Sequence, residues 1–488
     1  MALAALGLGT VALRLPLLAP RLAHWDAVNY ALGLHVFDVA AHQPHPPGSP
    51  YFILLGRAAL ALVGDDNLAL ELISVLASAA AVMAVYVLAA LLFDKRAALL
   101  AGLLLMTQPV FWGYGTTASA WTVLALCSIG IAITSALVLR GHTRLVIPCA
   151  IVLGLVSGFR ADAAVFLAPL CLWCLWRGEP RWRARALACV VGGAGVLVWL
   201  VPVSASAGGA VVWSERLVAL LPALNASDAE IRQLAANTAI AFGTLAFGLG
   251  PAVILGLILD RHATCTRFPP QTGVFLMLWI VPAFTFLWLV DSTEPGHDLI
   301  FVGALATIGG GLLRAFSRGY AVALVVIQAA VFLFAAPLQD RPLAWTFNSM
   351  LFNVTEPGLR QQQTSLNTTL QTIRTEFPPS DTLVITLLGQ DAYRFMMYYL
   401  PEYRVVRLDP QQTSVLTARN RVQGNWAELP SGCLATPPHA IVVLSSPIEK
   451  GTVPTGASQL WNGVGPFQVW QLASDASYLG FTLSSACD

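Results

Sequence analysis

The chain has 488 residues, 57% of them apolar and 11% charged, with a formal net charge of +1 and a mean hydropathy of +0.69. Soluble domains carry about 25% charged residues, so this balance excludes an ordinary soluble protein. It implies an α-helical polytopic membrane protein whose constant partner is the lipid bilayer, with no nucleic-acid partner. The first apolar span covers residues 1–20; it lacks a basic leader and a small-residue cleavage site, and is expected to stay as an anchor.

Residues 20–57, PRLAHWDAVNYALGLHVFDVAAHQPHPPGSPYFILLGR, hold most of the unusual chemistry of the first hundred residues. Asp26 follows Trp25, an aromatic of the kind that marks a membrane–water interface. Its carboxylate is expected just outside the hydrocarbon, a suitable place for a general base. The competing role is an N-cap to the helix that follows, in which Ala27, Tyr30, Ala31 and Leu34 recur at helical spacing. From His42 to Pro50 the chain reads as a rigid extended turn, with a new helix from Tyr51.

An apolar first helix, Trp25-Asp26 with Tyr30 one turn on, and the turn His45-Pro46-Pro47-Gly48-Ser49-Pro50-Tyr51 resemble the GT-C membrane glycosyltransferases. The resemblance is to the branch of the protein O-mannosyltransferases and aminoarabinose transferases. It implies a sugar donor carried on polyprenyl phosphate and a first-loop aspartate, here Asp26, that activates the acceptor. Many members carry Asp-Glu at this point, whereas Ala27 follows Asp26 here, so the second carboxylate is missing or supplied from elsewhere. The likeness in organisation extends over roughly the first 340 residues, but its motifs occupy only about forty, which defines a superfamily better than a substrate.

About 20 apolar residues cross a bilayer, and on that basis spans are expected at 1–20, 68–92, 97–113, 118–139, 145–159, 162–176, 186–205, 236–258, 271–290, 299–316 and 319–337, eleven in all. The short pair at 145–159 and 162–176 is open to a re-entrant or broken arrangement. With the N-terminus inside, the inner loops hold twelve basic residues, Lys95, Arg96, Arg140, Arg144, Arg177, Arg181, Arg183, Arg185, Arg261, Arg267, Arg314 and Arg318. The outer loops hold five, Arg21, Arg57, Arg160, Arg216 and Arg232, which selects this orientation. The expected division is a transmembrane domain over 1–338, with its first outer loop at 20–67, and a small extracytoplasmic α/β domain over 339–488. In that tail TLVITLLG, YRVVRLD and HAIVVLSS read as strands and QDAYRFMMYYLPE as a helix.

Cys433 and Cys487 are the only cysteines of the tail, where an oxidising compartment permits a bridge. Cys171 and Cys174 have redox or zinc spacing, but inside an apolar span packing is the simpler reading. His42 and His45 lack a third ligand at metal spacing, so no zinc is expected, and no cofactor or divalent cation is indicated.

A transfer from polyprenyl phosphate needs a cation at the leaving phosphate. Arg160 in GFRAD is the first candidate, because a planar guanidinium binds phosphate in two places. Arg57 and His297 are further candidates for that role, against the simpler roles of a snorkelling side chain and a solvated loop charge. Asp162 is placed to hold Arg160, or to form a merely structural pair with it. Tyr30, His45 and Glu294 support the site, with Asp298 beside His297. Asp65 and Asp66, in a Gly-Asp-Asp-Asn turn, end one helix and cap the next.

The leading function is thus transfer of one sugar from polyprenyl phosphate to an acceptor hydroxyl on the outer face, with inversion and with Asp26 as base. A transporter or lipid-handling protein without chemistry has the same composition. Coupled transporters, however, carry ionisable groups near the midplane, whereas the acidic residues here cluster at the outer edge. A receptor or assembly subunit working through its tail is the third class. The acceptor, whether protein, lipid or glycan, is not named by the sequence. Sequons at Asn225, Asn353 and Asn367 all fall on the expected outer side. Lys95 and Lys450 are the only lysines among 27 basic residues, a bias read as that of a GC-rich bacterium and hence of a plasma membrane.

Overall fold

The computed structural model describes residues 1–218 except 40 and 180, then 269–289, 295–338 and 351–380, and the single positions 238, 241–243, 245 and 348. In the C-terminal part it describes 382–387, 392–409, 414–418, 426–429, 440–445, 458–462, 468–472, 477–478 and 481–482. By contacts the chain divides into two units, Met1–Ala19 with Pro46–Leu359, and Pro20–His45 with Arg360–Asp488.

Polar capping signals place the breaks between the apolar helices of the first unit. Helix α1, Ala2–Arg14, falls within the first expected span; the helix that follows it belongs to the second unit. Helix α3, Pro50–Val63, begins on a proline, which lacks an N–H that would be orphaned in a first turn anyway, and ends on Gly64 at φ +73°. Asp65 then caps α4, Asp66–Leu92, by accepting the Leu68 N–H at 2.8 Å, as expected for the Gly-Asp-Asp-Asn turn. Twenty-seven residues at about 1.5 Å each cover the hydrocarbon with length to spare.

Asp94 caps α5, Lys95–Thr107, accepting from Arg96 and Ala97 at 2.9 Å, and pairs with Arg314 at 3.2 Å. The Ala97 N–H, followed by Arg314 and the Arg96 N–H, holds this carboxyl below its ordinary range despite slight desolvation. Its stabilisation is therefore present above the unfolded value near pH 4 and lost as pH falls through the folded one. Asp94→Ala should lower stability by about 1 kcal/mol. A thermal melt in detergent checks this, and an unshifted midpoint would remove the capping role.

Pro109 ends α5, because it has no N–H to continue the ladder. Gln108 restarts the chain as α6, Pro109–Tyr114, by accepting the Phe111 N–H. Arg14 of α1 is buried at this break, with its guanidinium 5.3 Å from the Phe111 ring centre and an N–H donated to the Met106 carbonyl at 3.4 Å. Then follow α7 (Trp121–Leu139), α8 (Val146–Val156), α9 (Ala161–Gly178), α10 (Trp182–Ser206) and α11 (Ala210–Val218). The short pair expected at 145–159 and 162–176 forms two separate helices, α8 and α9. After them come α12 (Pro270–Leu289), α13 (Leu299–Leu313) and α14 (Arg318–Phe334).

Among the described residues six segments are long and apolar enough to span a bilayer: α4, α7, α9, α10, α12 and Pro295–Leu313. Shorter apolar segments lie at Ala2–Leu17, Pro50–Val63, Thr143–Val156 and Arg318–Phe334. This is the polytopic helical membrane class read from composition. The span expected at 236–258 lies largely outside the described residues. The core joins α4, α5, α7, α9, α12 and α13 through residues such as Leu88, Leu124, Leu167, Trp279 and Phe301. Gly310 permits a close approach of α13 to α5, since a Cβ there would stand 2.4 Å from the Ala97 carbonyl oxygen.

The second unit is a mixed sheet with helices. Helix α15, Glu356–Glu376, leads into it, followed by β1 (Thr382–Leu387), α16 (Ala392–Tyr399) and β2 (Arg404–Asp409). The remaining strands of the large sheet are β3 (Ser414–Ala418), β4 (Trp426–Leu429), β5 (Ala440–Ser445), β6 (Ser458–Asn462) and β7 (Gln468–Leu472). Their order is β4-β3-β2-β1-β5-β7-β6. The centre, β2-β1-β5, is parallel and comprises the three runs legible in the sequence, while the outer strands pair antiparallel. Cys433 and Cys487 lie outside the described residues.

Candidate active site

Within the second unit, the segment from Pro20 to His45 is held by α15 and α16. The Leu22 N–H donates to the Tyr399 hydroxyl at 2.9 Å, and Arg21 lies over the Tyr399 ring, 5.0 Å from its centre. Arg21 also donates to the Asn367 side-chain oxygen, so this sequon amide is engaged. Gln363 donates to the Arg21 carbonyl at 3.2 Å, and the buried Arg394 to the Ala41 carbonyl at 2.6 Å.

In this segment α2, Trp25–His35, begins after His24, which occupies the N-cap position. Asp26 is therefore the second helical residue and not the cap, which removes the N-cap role weighed for it. A carboxylate in this first turn lies at the favourable end of the helix dipole. Asp26 and Tyr30, four residues apart, share one face of α2.

Past α2 the chain turns back through a bridge between Asp38 and Gln43, with N–H to carbonyl distances of 2.8 Å both ways. Asp38 also accepts the Ala41 N–H at 3.1 Å, and His42 has φ +57°. The return brings His45 onto the α2 face. Its Nδ1 stands 3.3 Å from Oδ1 of Asp26, and the two side chains are 11% and 16% exposed, enough to exclude most solvent while leaving access. The Trp25 and Tyr30 rings stand 5.4 and 5.7 Å from the imidazole centre, and His42 lies against the indole of Trp25 at 6.1 Å.

The first unit holds a second cluster. Arg160 is the N-cap residue of α9, and its guanidinium meets the Asp162 carboxylate through Nε at 3.4 Å and Nη2 at 3.3 Å. Nη2 is also 3.3 Å from Nε2 of His297. The plane beneath is Trp121, the first residue of α7, with the guanidinium carbon 3.7 Å from its ring centre and the His297 ring at 4.5 Å. Cation–π geometry at that distance and partial burial both fix the arginine. Gly296 lets the chain pass the indole, since a Cβ there would lie 2.4 Å from its nitrogen.

Arg160 with its expected partner Asp162, and His297 from a distant part of the sequence, thus meet in one place. Trp121 was missed, because at the head of a span it reads as an interface tryptophan. Arg57 lies on the exposed side of α3, and Asp298 is buried beside His297. Glu294 lies outside the described residues. The arrangement is suited to binding an anion that carries oxygens, with one guanidinium and one imidazole presented together.

The resemblance to the GT-C superfamily drawn from the first loop is borne out by comparison with known proteins. Residues 44–205, about a third of the chain, match the profile of the dolichyl-phosphate-mannose-protein mannosyltransferases. ArnT from Cupriavidus metallidurans in its apo state has the same fold, with a TM-score of 0.62, 14% identity, and 96% of this chain and 97% of that one covered. The same protein bound to undecaprenyl phosphate gives 0.60, again at 14% identity and with 96% and 97% covered. The Archaeoglobus fulgidus oligosaccharyltransferase in its apo form matches at 0.47 and 15% identity over 83% of this chain and 64% of that one. No curated protein matches the chain in sequence.

Proposed function

We propose that the protein transfers one sugar from a polyprenyl-phosphate donor to an acceptor hydroxyl on the extracytoplasmic face of a plasma membrane. The observation that carries this reading is Asp26, a half-buried carboxylate in a helical first turn, in contact with His45 and with no second acidic side chain following it. A sugar on phosphate already has a good leaving group, whereas an acceptor hydroxyl is a poor nucleophile at neutral pH, so the reaction needs a base more than an acid. The basic group is built on Asp26. With a single carboxylate the displacement inverts the anomeric centre, since retention by the two-carboxylate route requires a paired nucleophile.

Arg160 holds the donor phosphate, with His297 beside it and Asp162 orienting the guanidinium; Arg57 assists in neutralising the leaving group. No metal is required by this scheme. A fold shared over 96% of this chain with ArnT, crystallised bound to undecaprenyl phosphate, supports a lipid-phosphate donor. Incubated with a crude pool of polyprenyl-linked sugars and a membrane extract, the protein should deplete one of them. A pool left unchanged would favour a transporter or lipid-handling role.

The reading also requires an outer C-terminal unit. Ser380, exposed just before β1, offers a reporter. Ser380→Cys should react with a membrane-impermeant thiol reagent in intact cells. Labelling only after permeabilisation would invert the topology and place Asp26 on the wrong face.

A further inference from the structure

The transfer reading assigns basicity to Asp26 but leaves open which atom receives the proton. An isolated carboxylate titrates near pH 4 and is a weak base for an alcohol, whereas an imidazole titrates near pH 6–7, close to working conditions. The loop supplies both groups. His45 faces Asp26 through Nδ1 at 3.3 Å, so Nε2 lies on the opposite side of the ring. A carboxylate this close to Nδ1 favours the tautomer in which Nδ1 carries the hydrogen and Nε2 the lone pair, the arrangement by which Asp–His pairs make imidazole a general base. The Trp25 and Tyr30 rings both pack near the imidazole, at 5.4 and 5.7 Å between centres.

We infer that Asp26 and His45 form a catalytic dyad in which Nε2 of His45 accepts the acceptor's proton and Asp26 positions the imidazole and balances its charge. This rests on the transfer reading and names its base. In the step, the acceptor oxygen bonds to the anomeric carbon as its proton passes to Nε2. The bond from that carbon to the phosphate oxygen breaks, its electron pair leaving with polyprenyl phosphate. The imidazolium then gives its proton to water, so one acceptor and one donor yield a glycoside, polyprenyl phosphate and a proton.

The other titratable groups on the packed elements are Arg21, His24, Tyr30, His35, Asp38 and His42 of the loop and α2, and Tyr393, Arg394, Tyr398 and Tyr399 of α16. The Arg394 guanidinium is committed in part to the Ala41 carbonyl and Asp38 in part to the Ala41 N–H, which leaves His24 and His42 as the controls.

The test is the pH dependence of kcat/KM for purified protein and three variants, with retained polyprenyl-phosphate binding as the criterion of an intact fold. The parent should lose activity towards acid pH, as the imidazole protonates. His45→Gln should fall by about 10²-fold or more and lose that limb. His45→Ala should regain activity with added imidazole, and His42→Gln should keep the limb. Parent-like transfer by His45→Gln with the acid limb unmoved would overturn the dyad and leave Asp26 as the sole base. A parent protein that transfers sugar from no polyprenyl-phosphate donor would overturn the transfer reading itself.

Discussion

Purified Asp26→Asn protein should bind polyprenyl phosphate close to normally and transfer sugar slower by about 10²-fold or more. Asparagine keeps the size and much of the hydrogen bonding, and α2 does not depend on this side chain as its cap, since His24 holds that position. What is lost is the negative charge 3.3 Å from the His45 ring, and with it the base. Asp38→Asn is the contrast. Asp38 accepts the Ala41 N–H in the loop turn, an asparagine oxygen serves the same bond, and the rate should change little. A near-parent rate for Asp26→Asn would move the search for the base to Asp162 and Asp298.

The second large effect is expected in binding. A charge-assisted hydrogen bond contributes about 1.5–3 kcal/mol, so Arg160→Ala should weaken polyprenyl-phosphate affinity by roughly 10- to 100-fold. Arg160→Lys should recover only part, because an ammonium lacks the planar fork and stacks less well on Trp121. Removing the arginine also exposes the Asp162 carboxylate to the incoming phosphate. The Arg160→Ala, Asp162→Asn double variant separates this repulsion from the lost contact. If its affinity equals that of the parent, Arg160 is a structural charge.

The sequence carried much of this because its informative signals are local. Hydropathy placed the long helices, the Gly-Asp-Asp-Asn turn placed the boundary at Gly64–Asp65, and apolar β-rich runs located β1, β2 and β5. Those three strands are central and parallel, hence apolar on both faces and conspicuous. Antiparallel β3, β4, β6 and β7 alternate with polar residues over four or five positions, too short a stretch to separate from loop. Arg14 was invisible for the opposite reason, because a hydropathy window averages one cation into its apolar neighbours.

The site was legible as residue types and not as partnerships. Asp26 stood out through its aromatic neighbour and Arg160 through its position between two apolar segments. Nothing local joins His297 to Arg160, or assigns the loop from Pro20 to His45 to the C-terminal unit through a bond between Arg394 and Ala41, 353 residues apart. Such contacts follow from topology, which a single sequence does not display.

The central claim is that a polyprenyl-phosphate sugar is consumed here by chemistry built on Asp26. Its most direct test is release of free polyprenyl phosphate from a labelled polyprenyl-phosphate sugar by purified protein supplied with a membrane extract as acceptor source. Release by the parent, with little or none by Asp26→Asn protein that binds the lipid equally well, is the predicted result. Release at the same rate by both proteins, or by neither, would contradict it.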